Sequence, residues 1–161
     1  MVLSDIFGKP CCRQRVGREN SLSLGFGKKI FHEKNLIEEF YGEWEIGCFH
    51  SSWRIIVNNV IVCGGNDDVD SFDELNEIVA GIELGSISSI KMINDFDVCV
   101  TLKNATSVEF FCLSKSDEAF HIYGPDKMFI GLGSDGWTIG RSDLPSDNLA
   151  SVDFSYLVQG K

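Results

Sequence analysis

Two runs rich in β-branched residues, Trp53-Arg54-Ile55-Ile56-Val57 and Val60-Ile61-Val62-Cys63, flank the dipeptide Asn58-Asn59. A two-residue gap admits only a tight primed turn, and asparagine tolerates the positive φ such a turn needs. The segment reads as a β-hairpin, closed by Gly64-Gly65. The pattern recurs downstream. Residues 88–93 pair with 96–102 through Asn94-Asp95, and the latter pair with 106–113 through Lys103-Asn104-Ala105. Residues 120–123 and 128–132 flank Gly124-Pro125-Asp126, and 133–136 lead into Trp137-Thr138-Ile139. Hairpin after hairpin at this spacing predicts antiparallel sheet.

Upstream, Leu22, Leu24 and Phe26 alternate, as do Trp44, Ile46, Cys48 and His50. Period two marks half-buried strands. Residues 34–41 suit either two helical turns or the lead into the next strand. One helix stands out. Ser71 is a candidate N-cap, with Glu74 completing a capping box. Leu75, Ile78, Val79 and Ile82 then share a face, while Asp73, Glu74 and Glu77 suit the positive end of the helix dipole. The fold class is α+β, mainly antiparallel β (a meander, sandwich or half-barrel) with one principal helix near 72–80. The 161 residues read as a single domain over 1–161. Residues 1–20 read as a flexible basic arm, 21–143 as a β-rich core, and 144–161 as an extension that could dock as an edge strand.

Charge is divided unevenly along the chain. Residues 1–34 carry seven Lys/Arg against three Asp/Glu, a net of +4; residues 35–161 carry −14, and the whole chain −10. Asp67, Asp68, Asp70, Asp73, Glu74 and Glu77 crowd into eleven residues without a Lys or Arg. Such a body repels nucleic acid and anionic lipid and attracts cationic proteins. These six acids are the first candidate partner-binding group. Glu43, Trp44 and Glu45 are the second, with Trp44 read as an exposed anchor among carboxylates.

Six cysteines lack a disulfide-scaffold or CxxC pattern. Cys48, Cys63, Cys99 and Cys112 lie in apolar runs, where a thiol acts as a small hydrophobe. The residue opposite Cys99 would be Glu109 or Phe110, which argues against a bond to Cys112. The N-terminus has no apolar run before its basic cluster, and no stretch reaches membrane-spanning length. A reducing cytoplasm is the expected compartment. The basic residues around Cys11-Cys12 could suggest acylation; a solvated leader is the plainer reading.

Catalytic and ligand motifs are absent or fail in context. Gly131-Leu132-Gly133-Ser134-Asp135-Gly136 spells GxGxxG but precedes a strand-like run, so it reads as a hairpin turn. Gly25-Phe26-Gly27-Lys28-Lys29 reads as a turn with a basic exit. Residues 66–71 are dense in carboxylates, yet the sixth loop position is Phe72 or Asp73, not the glycine a calcium loop requires. Cys48 and His50 would share a strand face and could line the pocket of an enzyme or small-ligand binder, the rival reading. No cofactor, no metal and no catalytic set is expected, and the oligomeric state stays open.

From Trp53 to Trp137 the chain resembles a group of small bacterial β-rich proteins. The elements are WRIIVNNVIVCGGNDD, a short helix, ISSIKMINDFDVCVTLKNATSVEFFCLS, then AFHIYGPDKMFIGLG and the trailing Trp137. That group includes immunity proteins of polymorphic toxin systems, among them contact-dependent growth inhibition. The resemblance implies a cytoplasmic inhibitor that occludes one cognate toxin domain. Such families share no binding motif, so no site residue transfers. A basic nuclease toxin agrees with the charge reading, as does the alternative of another basic protein partner for a regulatory module.

Overall fold

A computed structural model describes residues 3–116 and 118–159. Twelve strands and two α-helices are formed among them: β1 (Cys11–Val16), β2 (Leu22–Phe31), β3 (Phe40–Gly47), β4 (Trp53–Val57), β5 (Val60–Gly64), α1 (Phe72–Ala80), β6 (Ile87–Met92), β7 (Val98–Leu102), β8 (Thr106–Phe110), β9 (Glu118–Gly124), β10 (Met128–Gly133), β11 (Gly136–Arg141), β12 (Ala150–Val152) and α2 (Phe154–Gln159). They make two open antiparallel sheets, ordered β1-β2-β3-β9-β10-β11-β12 and β5-β4-β8-β7-β6. The fold is α+β, mostly antiparallel sheet.

One continuous apolar cluster joins the sheets. Leu24, Phe26, Trp44, Ile46, Phe120 and Ile130 come from the larger sheet, and Trp53, Ile55, Val100, Val108 and Phe110 from the smaller. Phe110 and Phe120 meet with ring centroids 4.8 Å apart, which ties the two layers directly.

The turn chemistry holds in detail. Asn58 and Asn59 adopt φ of 50° and 64°, the left-handed pair that a tight hairpin demands. Cys99 lies opposite Glu109. Ser71 Oγ accepts from Glu74 N–H, and the Glu74 carboxylate reaches back to the N–H of Asp70, one residue earlier than a simple capping box. Gly131–Gly136 forms the β10–β11 hairpin.

Several expectations are corrected. Residues 3–20 are not a flexible arm; Met1 and Val2 lie outside the described residues. Leu3 and Ile6 are fully buried in a short 3-10 turn, and β1 pairs along β2. The outer side of β1 is covered by α1: Val16 N–H donates to Asn76 Oδ1, and Gln14 Nε2 donates to the carbonyls of Val79 and Ile82 at 2.5 and 2.7 Å. Gln14 therefore ties β1 to carbonyls at and just after the end of α1, where helix carbonyls run short of main-chain donors. Residues 25–29 are not a turn. They continue β2 through a bulge, where Gly27 at φ +86° turns its N–H to Pro10 O. On α1, Leu75 and Val79 are buried, whereas Ile78 stands exposed. The C-terminal extension does dock as an edge strand, β12 pairing with β11, and α2 follows it, returning Leu157 to the core. Residues 33–39 form bends that lead into β3, without a helix.

Candidate protein-binding surface

The two predicted acidic groups occupy different settings. Asp67, Asp68, Asp70, Asp73, Glu74 and Glu77 are all exposed, on the loop after β5 and the first turns of α1. Asp67 shapes the loop: its Oδ2 accepts the N–H of Gly64 at 3.1 Å. Among the described residues none of the six forms an ion pair. This cluster therefore displays its negative charge outward.

Glu43 and Glu45 lie on β3, facing away from the core, and are only partly exposed. Their charge is met from within the chain. Lys9 Nζ sits 3.2 Å from Glu43 Oε2, and Arg13 Nη1 lies 3.0 Å from Glu45 Oε2. Arg13 also grips Glu38, whose other oxygen lies 2.5 Å from Arg15 Nη1. Partial burial alone would raise the Glu43 pKa, but hydrogen bonds from Lys9 and the Lys28 N–H hold it below the usual carboxylate value. Three positive charges of the N-terminal stretch are thus consumed internally, leaving the 67–77 acids uncompensated.

Trp44 is not a surface anchor. It is 1% exposed, because strict alternation on β3 turns Trp44 and Ile46 inward and Glu43 and Glu45 outward. Its ring packs where a side chain on Gly124 would be. Glu43, Glu45, Tyr41 and Tyr123 instead line an open groove of about 670 Å³ on the outer face of the larger sheet. From Tyr123 a row of rings runs on: Phe49, His121, Tyr123 and Phe129 meet in sequence, tilted or edge to face, at centroid spacings of 4.4 to 5.2 Å. Sequence reading missed this outer aromatic row, although His121, Tyr123 and Phe129 lie on one face of paired strands.

The Cys48–His50 pair does not assemble as nucleophile and base. Cys48 is buried and its thiol donates to the main-chain oxygen of His50 at 3.0 Å; the His50 ring is outside, 3.6 Å from Glu19. Burial pushes the Cys48 thiol up to about 11, away from the thiolate that nucleophilic chemistry requires. Cys11, Cys12, Cys48, Cys63 and Cys99 carry free thiols. Among the described residues no group of three His, Cys, Asp or Glu is placed to hold a metal ion, and no helix is long and apolar enough to cross a membrane.

No family model, curated protein or solved structure matches this chain.

Proposed function

We propose that this chain is an interaction protein of the immunity type, which binds a basic toxin domain and blocks it by occlusion. The observation that carries the reading is the 67–77 surface: six exposed carboxylates without internal counter-ions, on a chain of net charge −10 whose N-terminal cations are partly spent on Glu38, Glu43 and Glu45. A cationic nuclease domain shaped to hold phosphates is the matching partner. Electrostatic steering would bring the two together at rates up to roughly 10⁸–10⁹ M⁻¹s⁻¹ at low salt. Inhibition by coverage needs no catalytic group on the inhibitor. The inhibitor would act where the toxin would otherwise meet nucleic acid, in the cytoplasm.

Co-expression with the product of the neighbouring gene tests this. The expected result is a stoichiometric complex in which nuclease activity is lost. Replacing Asp67, Asp68, Asp70 and Asp73 with lysine should slow association at least tenfold at low salt and flatten its salt dependence. Absence of a complex, or an association rate indifferent to these charges, would overturn the reading.

A further inference from the structure

Four strands end the two sheets, and a bare sheet edge is a template for another chain. Three of the four are masked. β1 lies under α1, through Asn76 and Gln14. β12 has three residues and runs almost directly into α2. The start of β6 is held by the N-terminal segment, with Gly8 N–H on Ile87 O at 2.9 Å and a bridge between Pro10 and Ser86, and the rest of β6 shows Ser88 and Lys91 to solvent.

On β5 only the C-terminal end, Cys63 and Gly64, is buried; residues 60–62 have no such cover. Val60, Ile61 and Val62 are 61%, 56% and 42% exposed, and the strand contains no charge and no proline. Among the described residues no strand pairs with its outer side. It does carry a bulge, but the extra residue, Val62, is itself apolar and exposed. The acidic run begins where this strand stops: Gly64, its last residue, donates to Asp67, and Asp68 and Asp70 follow. An apolar ladder edge and an uncompensated acidic flank are therefore continuous.

We infer that β5 is a docking strand for an extended, positively charged segment of a partner protein, which adds to the smaller sheet antiparallel to β5. This rests on the cationic partner argued above and specifies how that partner binds. Antiparallel pairing is the stronger ladder. It sets the direction: partner residues that precede the paired stretch pass beyond Gly64 and meet Asp67, Asp68 and Asp70. Main-chain hydrogen bonds supply affinity, and the exposed side chains of Val60, Ile61 and Val62 supply apolar contact. A second copy of this chain is the poorer occupant, because it brings another ten negative charges to a neutral edge.

The test uses two synthetic peptides of alternating valine and threonine, one with three lysines at its N-terminus and the other with the same lysines at its C-terminus. The N-terminal version should bind at least tenfold more tightly and slow amide exchange in residues 60–64. Ile61→Lys, at an exposed position, should abolish binding while leaving the circular dichroism spectrum unchanged. Replacing Asp67, Asp68 and Asp70 with lysine should remove the preference between the peptides. No binding at millimolar peptide, equal binding of the two, or undiminished binding to Ile61→Lys overturns the inference. So does a dimer of the free protein that Ile61→Lys dissociates, since the edge would then belong to a second copy. If charge reversal abolishes binding and Ile61→Lys does not, edge docking falls while the acidic surface stands. If Ile61→Lys abolishes binding and charge reversal changes nothing, the cationic partner falls.

Discussion

Arg13 and Glu45 meet at 3.0 Å across Gly25, although β2 runs between their strands. The three residues are in register, Arg13 opposite Gly25 and Gly25 opposite Glu45. Only the absence of a side chain at position 25 lets the guanidinium reach over. Glu45 then accepts from Ser23 and from the N–H of Gly42 as well, so the pair organises three strands.

Gly25→Ala follows from that geometry. A Cβ there would lie 2.6 Å from Glu45 Oε1 and 3.1 Å from the main-chain nitrogen of Gly42. The carboxylate must move, which disturbs its contact with Arg13 and leaves that guanidinium to Glu38 and Ser23. The expected cost is about 1–3 kcal/mol, read from urea unfolding.

Two tryptophans of similar burial should respond differently to removal of the indole N–H. Trp53 Nε1 donates to Asn20 O at 2.6 Å, whereas the buried Trp44 Nε1 has no partner among the described residues. Trp53→Phe leaves a carbonyl without its donor; Trp44→Phe removes an unsatisfied donor. Denaturant titration should show Trp53→Phe the more destabilising by about 1–2 kcal/mol.

Gln14→Ala should loosen the end of α1. Its amide bonds the carbonyl of Val79 in α1 and that of Ile82 just beyond it, joining the helix end to a strand 65 residues away in sequence. Amide exchange near residues 79–82 should accelerate, with a global loss of about 1–2 kcal/mol.

Alkaline pH should weaken the fold through its thiols. Burial lifts Cys11, Cys48 and Cys63 from an ordinary 9.0 to about 11. The folded protein then holds these protons longer than the unfolded chain. The stabilisation is complete below pH 9 and is lost as pH rises toward 11. For a deeply buried thiol such as Cys48, two units correspond to about 2–3 kcal/mol. Urea unfolding at pH 8 and at pH 10.5 should show the loss, and Cys48→Ala should reduce it. At pH 8, Cys48 should also resist thiol labelling in the native state.

The hairpins were legible because their information is local. Asn58-Asn59 needs only its own φ angles, and the Ser71 cap only its next three residues. β1 was not legible, because its side chains find partners far along the chain. Arg13 meets Glu45, Arg15 meets Glu38 and Gln14 meets Val79, so Cys-Cys-Arg-Gln-Arg reads as solvated polar chain until those partners are in place. Trp44 misled for the opposite reason: its carboxylate neighbours describe the far face of the strand, not its own. The acids at 67–77 needed no partner to be located, and their exposure follows the sequence pattern directly.

The first described turn, Leu3–Ile6, packs against α2, the last element. During synthesis on the ribosome, Leu3 and Ile6 must wait for residues 154–159 before they are sheltered from water. Synthesis of this late helix, not of the strands before it, is the event that closes this part of the fold.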